Sequence, residues 1–547
     1  MQSERQPKRQ SRPITHGVFL LLLALILCAA GWVRIYKLDW DEGTHLHPDE
    51  RYLTMVTAAL DFPPSLSQYW DTSTSPLNPE NRGFSGYVYG TLPLFAARAA
   101  GSWLDRACGE TPVWLPALVR GLLFDAQQPC YPGQYTGYGG VHLVGRYLST
   151  LADLLTLVAL VLLARRLFGE STALLAGALY AFAVLPIQHA HFFVVDSFAA
   201  VFVTWTLFFA VMAMAPRRRW VLLLAGITTG LAVACKISTW PVAGMVGLAG
   251  LLRWEKTDSG ARLRLQPDTM TMLAFVVGSG LLAALAFRIA QPYAFSGPGF
   301  WNVRLSPSWL NTMKYIQQLV SGEIDSPPGH QWTARTPIVF PWVNMVFWGL
   351  GLPLGLAAWG GWGFMLRTFW REKRLDVALP WLWGTLFFLY QAVQWVKSMR
   401  YLLPLYPVFT LFAAWGLIHL ATWARQTWPK ATHGWQRALL ALCRAAPWGV
   451  LIGTLVWAAA FMQIYVRPFT RVEASRWMFE NIPTAVTVRT QEGLQIQVPV
   501  QPNAILYQEG RPLQLPFTMD VAGTVNTLTL NKVQLSDPQR DVRLEVT

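Results

Sequence analysis

The residues best suited to chemistry lie in one short run, His45-Leu46-His47-Pro48-Asp49-Glu50-Arg51-Tyr52, where two adjacent carboxylates stand among two imidazoles and a guanidinium. A carboxylate so placed can take a proton from a hydroxyl, and a nearby cation can balance charge as a bond breaks. The same residues also make a good helix start, because proline suits the first turn and acidic side chains there meet the positive end of the helix dipole. A second acid bears on the choice. The run Gln188-His189-Ala190-His191-Phe192-Phe193-Val194-Val195-Asp196-Ser197 forms a short turn, and Asp196 stands at the mouth of the apolar segment that follows. An ionisable group at the edge of a membrane span is a functional candidate by default, although Asp196 or Ser197 is equally able to cap the next helix. His189 and His191 suit interfacial hydrogen bonding better than metal ligation. Arg146, Lys236, Lys397 and Arg400 supply cations near helix ends on the same side. They pair with Asp49, Glu50 and Asp196, hold an anionic group, or snorkel to lipid headgroups.

The elements that must position these residues are membrane helices. Of the 547 residues 53% are hydrophobic and 14% charged, whereas soluble domains carry about 25% charged residues. Apolar runs long enough to cross a bilayer, roughly 20 residues each, recur from Val18 almost to Tyr465. The first run lacks a small-residue cleavage site and is followed by more spans, so it reads as a retained helix rather than a signal peptide. The formal net charge of +14 is concentrated in short loops between apolar runs. That placement reports topology and excludes a nucleic-acid partner.

Arg5, Lys8, Arg9 and Arg12 precede the first span, and every second loop after it is basic: Arg165 and Arg166, Arg217 to Arg219, Arg253 to Arg264, Arg367 to Arg374, and Arg425 to Arg444. This alternation predicts a cytoplasmic tail at 1–14, an all-α membrane region at 15–465, and a C-terminus on the exterior. About eleven helices are expected, near 15–35, 141–163, 171–187, 194–215, 220–235, 238–252, 271–290, 338–366, 377–396, 401–424 and 447–465. Two outer loops, near 34–140 and 291–337, are too long and too rich in Trp, Tyr, Pro and Gly to be mere connectors. Glu50 to Leu60 has helical spacing and suits an interfacial helix. Cys108 and Cys130 share the first of these loops, where an oxidising compartment permits a disulfide. After Tyr465 the pattern changes to period two, as in Thr487-Val488-Arg489, Gln495-Ile496-Gln497-Val498 and Thr527-Leu528-Thr529-Leu530, which predicts a small β-rich exterior domain at 466–547.

At this point the residues resemble a family. Asp49-Glu50-Arg51-Tyr52 resembles the acidic first-loop motif of the GT-C membrane glycosyltransferases, especially the protein O-mannosyltransferase and lipid A aminoarabinose transferase branch, glycosyltransferase family 39. His191 to Ser197 is similar to that branch's second acidic motif, and Gly230-Leu231-Ala232 through Lys236 to its glycine-to-lysine segment. Arg400-Tyr401-Leu402-Leu403-Pro404-Leu405-Tyr406-Pro407 is similar to its late arginine-tyrosine-proline motif. The likeness runs from about residue 15 to 465, while Asp71 to Leu94 departs from the best-known members on the side that shapes the acceptor pocket.

The resemblance implies a single sugar on a polyprenyl-phosphate donor, transferred with inversion to a hydroxyl of a lipid, protein or glycan acceptor. It implies Asp49 as general base, Glu50 as its assistant or orienting group, and Asp196 as electrostatic support or metal ligand. Lys236 and Arg400, with Arg146 a weaker addition, would neutralise the lipid phosphate, and His47, His191 and Tyr401 would add substrate contacts. Some family members use a divalent metal, but no ligand spacing here demands one. The cell membrane is the expected location. A transporter or flippase of lipid-linked glycans is the alternative from another class; its ionisable groups would be expected near the bilayer midplane rather than at the outer helix ends. A purely structural subunit would leave the paired acids and cations unexplained.

Overall fold

The computed structural model describes residues 15–109, 133–257, 260–265, 269–372, 375–481, 484–491, 493, 495–500 and 524–530. The N-terminal tail and the pairing of Cys108 with Cys130 lie outside the described residues. The chain divides into two compact units, residues 1–463 and 464–547. In the first, helix α1 (His16–Ile35) is followed by α2 (Pro48–Ala59) and α3 (Leu92–Gly109). Then come α4 (Val141–Phe168), α5 (Glu170–Ala181), α6 (Val184–Ala190), α7 (Val195–Ala213), α8 (Val221–Cys235) and α9 (Val242–Leu251). Strands β1 (Leu252–Thr257) and β2 (Gly260–Leu265) pair antiparallel before α10 (Thr269–Ala290) and α11 (Pro307–Ser321). Helices α12 (Leu352–Glu372), α13 (Leu375–Ala392), α14 (Tyr406–Thr427) and α15 (Gly434–Val466) complete the bundle.

A helix lies at each of the eleven positions that the apolar runs mark, so this is an all-α integral membrane protein with a few strands. Length and apolarity alone qualify six described helices as spans, or seven if the bent pair α5 and α6 counts as one. The fuller count of eleven requires shorter helices such as α8 and α9, of 15 and 10 residues, to cross as well, below the roughly 20 that span a bilayer unaided.

The bend between α5 and α6, 58°, has a local cause. Pro186 in the first turns of α6 cannot continue the hydrogen-bond ladder of α5, and the carbonyls freed at the break need donors in an apolar interior. Arg34, fully buried at the end of α1, supplies them, donating from Nη1 to the Ala181 carbonyl at 2.8 Å and from Nη2 to that of Tyr180 at 3.4 Å. Its charge is balanced by Asp153 of α4, 2.5 Å from Nε, which also accepts from the Tyr180 hydroxyl at 2.7 Å. Gly230 of α8 answers a different need. A Cβ there would stand 2.2 Å from the Ala283 carbonyl oxygen of α10, so these two helices touch backbone to backbone.

Two regions differ from what the sequence patterns suggest. The first long loop contains the 18-residue helix α3, because Leu94, Ala97, Gly101 and Leu104 recur on one buried face of it. The basic segment from Arg253 to Arg264, expected as a plain connector, is a hairpin in which Arg253 faces Arg264 and Glu255 faces Arg262 across the ladder. The second unit contains α16 (Thr470–Asn481) and strands β3 (Thr484–Thr490), β4 (Gln495–Val500) and β5 (Val525–Leu530), in the order β4-β3-β5, all antiparallel.

Candidate active site

His47 caps α2, its Nδ1 accepting from the Glu50 amide at 3.2 Å, and Pro48, Asp49 and Glu50 form the first turn. Successive side chains on a helix diverge by roughly 100°, and here that angle separates the two acids. Glu50 turns inward and is completely buried. It accepts from Arg146 Nε at 2.7 Å and Nη2 at 2.8 Å, and from the Phe193 amide at 2.8 Å. Arg146 is itself fully buried, and its remaining donors go to Asp41 Oδ1 at 2.9 Å and the Leu38 carbonyl at 2.8 Å. A fork-to-fork pair of this kind fixes orientation. Together, Glu50 and Arg146 hold the start of α2 against α4 and against the turn before α7.

Asp49 turns the other way, with its side chain 26% exposed. One carboxylate oxygen forms an ion pair with Arg400, and the other accepts from the Tyr89 hydroxyl at 2.8 Å. Burial raises the Tyr89 phenol well above its usual range, so it stays protonated and donates. Tyr89 is held there by its neighbour. The Gly90 amide donates to the Cys235 carbonyl at 3.1 Å, and a Cβ on Gly90 would stand only 1.9 Å from the Ala234 carbonyl oxygen. Only glycine allows the loop that carries Tyr89 to lie directly on the end of α8.

Lys236 follows immediately, at the C-terminal cap of α8. Its Nζ donates to Asp196 Oδ1 at 2.5 Å and sits 4.1 Å above the centre of the Tyr401 ring. The Arg400 guanidinium lies 5.4 Å from the centre of the same ring. Asp196, Lys236, Tyr401, Arg400, Asp49 and Tyr89 therefore form one connected chain of contacts, built from the ends of α2, α7 and α8 and from the turn that opens α14. Lys397, three residues before Arg400, is 5% exposed and donates to the Trp395 carbonyl at 3.1 Å. Burial lowers the affinity of this ammonium for its proton, and no carboxylate pairs with it among the described residues.

The histidines divide as well. His47 packs on Phe192 with ring centres 4.4 Å apart. Burial, reinforced by the nearby His189 and Arg400, pushes its imidazole down to about 3, so it is neutral at physiological pH. His191 is buried away from the acids, its ring nitrogens 2.9 Å from the Ile187 carbonyl and 3.0 Å from that of Tyr36. Asp49 and Asp196 each rest on a cation, Arg400 and Lys236 respectively. Neither Tyr89 nor the role of Asp41 is marked by a motif in the sequence. The signal for Tyr89 was the aromatic run Tyr87-Val88-Tyr89-Gly90, whose position depends on how the loop docks.

Residues 138–289 match the family described as dolichyl-phosphate-mannose-protein mannosyltransferase. No curated protein matches the sequence. Among solved structures, the oligosaccharyltransferase AglB of Archaeoglobus fulgidus, in complex with an inhibitory peptide and a dolichol-phosphate, superposes with a TM-score of 0.52 at 15% identity, covering 85% of this chain and 58% of that one. The same enzyme tethered to an acceptor peptide containing the NVT sequon gives 0.52 at 15% identity, over 93% of this chain and 61% of that one. ArnT from Cupriavidus metallidurans, bound to undecaprenyl phosphate, gives 0.45 at 15% identity over 82% and 76%. The chain thus spans about three-fifths of the length of the archaeal structures, and what it shares with them is the fold.

Proposed function

We propose that this chain is a membrane glycosyltransferase that moves a single sugar from a polyprenyl phosphate to an acceptor hydroxyl, with inversion, on the non-cytoplasmic face of the cell membrane. The observation that carries this reading is the contact chain joining Asp49 to Arg400, Tyr401, Lys236 and Asp196. It sets a partly exposed carboxylate beside cations suited to a phosphate. The matched family and the dolichol-phosphate in the AglB complex support that choice of donor class.

In the reaction, the acceptor oxygen forms a bond to the anomeric carbon as the bond from that carbon to the phosphate oxygen breaks. The hydroxyl proton passes to the Asp49 carboxylate, and the electron pair leaves with the polyprenyl phosphate. Without donor, Arg400 and Lys236 rest on Asp49 and Asp196. An arriving phosphate draws both cations toward itself, and Asp49 is freed to act as base while Tyr89 keeps it oriented. Glu50 and Arg146 take no part in the chemistry and position the turn that presents Asp49. The acceptor, whether lipid, protein or glycan, meets the first-loop elements around Tyr89.

The test is Asp49→Asn in the purified, detergent-solubilised protein, assayed for sugar transfer from a polyprenyl-phosphate donor. General-base removal is expected to lower kcat by about 10² to 10⁴, with donor binding retained. Transfer at the wild-type rate would overturn the assignment.

A further inference from the structure

We propose that Asp39, Asp41 and His142 bind one divalent transition-metal cation, a site separate from the transfer chemistry. Asp39 and Asp41 lie in the turn after α1, and His142 in the first turn of α4. One ligand atom from each comes within 4.8 Å of the others. Donors that share a metal at about 2.0–2.2 Å must be roughly 3–4.4 Å apart. The 3.9 Å between His142 Nε2 and Asp39 Oδ1 falls in that interval and is too long for a hydrogen bond.

The imidazole is the independent sign that something belongs there. His142 is 1% exposed, and neither ring nitrogen has a hydrogen-bond partner among the described residues. A buried polar atom left in this way is destabilising, and a metal on Nε2 satisfies one of the two. The charges point the same way. Asp39, Asp41 and Glu50 surround a single guanidinium, with Arg146 Nη1 3.7 Å from Asp39, Nη2 2.9 Å from Asp41 and Nε 2.7 Å from Glu50. The carboxylates outnumber the guanidinium they surround, and a divalent cation would reduce that excess. The existing contacts leave room. Asp41 accepts from Arg146 on one oxygen and from the Leu46 amide on the other, at 3.0 Å, and Asp39 Oδ1 accepts from the Gly43 amide at 3.0 Å. Each oxygen still has a free lone pair.

Two carboxylates with one imidazole suit Zn²⁺ or Mn²⁺ better than Ca²⁺ or Mg²⁺, which favour all-oxygen sets. Asp39 is 48% exposed, so the site opens to water for exchange. Bound there, the cation would clasp the turn after α1 to α4 and so brace Arg146 and Glu50 beneath the start of α2.

The experiment uses the full chain in detergent, stripped with chelator and titrated with Zn²⁺ or Mn²⁺, with bound metal per chain and thermal midpoint as readouts. About one equivalent and a raised midpoint are expected for the wild type and for Asp196→Asn. Asp39→Asn and His142→Gln should each weaken binding about tenfold or more. Asp39 is half-exposed, so its replacement tests the site even if the buried histidine variant folds poorly. Absence of bound metal in the wild type, or equal binding by the wild type and Asp39→Asn, overturns the proposal. Metal binding lost in Asp196→Asn but kept in Asp39→Asn would place the ion at the transfer site instead and overturn it equally.

Discussion

Asp49 and Glu50 are one residue apart and carry the same functional group, yet Glu50 is buried in a bidentate arginine pair and Asp49 is partly exposed beside Arg400 and Tyr89. Their types and their place after the first span were readable from sequence, but the direction of each was not. It is set by which side of the first turn of α2 meets Arg146, 96 residues away. Tyr89 shows the same limit more sharply, because its contact with Asp49 spans 40 residues and depends on a loop docking on α8. Its hydroxyl is the second support that keeps Asp49 aimed when Arg400 turns to the phosphate. A hydrogen bond to a charged group is worth about 1.5–3 kcal/mol. Tyr89→Phe keeps the ring and deletes that bond, so it should lower kcat by about ten- to a hundredfold and leave donor KM little changed. Steady-state kinetics with varied donor decides this, and an unaltered kcat would remove Tyr89 from the site.

At the scale of elements, the site depends on helix ends meeting closely. The membrane helices were legible because apolar runs and basic loops are long-range, repetitive signals, whereas the interior of the first long loop was not. There α3 and the docked segment from Asp71 to Leu94 take their positions from tertiary partners: Thr72 donates to the Phe295 carbonyl at 2.7 Å and Thr91 to that of Ala290 at 2.7 Å. The hairpin of β1 and β2 was hidden for a related reason, since its charged residues suit a solvated loop equally well. Gly90 is the point where loop and helix touch, and Gly90→Ala tests whether that contact matters. The added methyl would meet the Ala234 carbonyl at 1.9 Å, and overpacking of this kind costs about 1–3 kcal/mol. The expected outcome is a lowered thermal midpoint together with reduced transfer, because Tyr89 and Lys236 flank the joint on its two sides. A lowered midpoint with full transfer would show that the loop's docking stabilises the fold without aligning the site.

For the whole molecule, α4 gives the clearest ruler. Arg146 near its start belongs to the acidic cluster, and Arg165 and Arg166 stand in its last turn. At 1.5 Å per residue the two ends are about 30 Å apart, close to the thickness of the hydrocarbon core. The same separation recurs along α7, with Asp196 in its first turn and Arg217 to Arg219 just beyond its end. One end of the bundle thus gathers acids, paired cations and aromatics, and the other gathers the basic turns that the positive-inside rule assigns to the cytoplasm. On a background with all five native cysteines replaced, Ser67→Cys lies with the site elements and Arg218→Cys lies among the basic turns, both at exposed positions. In intact cells a membrane-impermeant thiol reagent should label the first and spare the second until the membrane is permeabilised. The opposite pattern would turn the molecule over and place the site on the cytoplasmic face, where donor and acceptor would both have to be found instead.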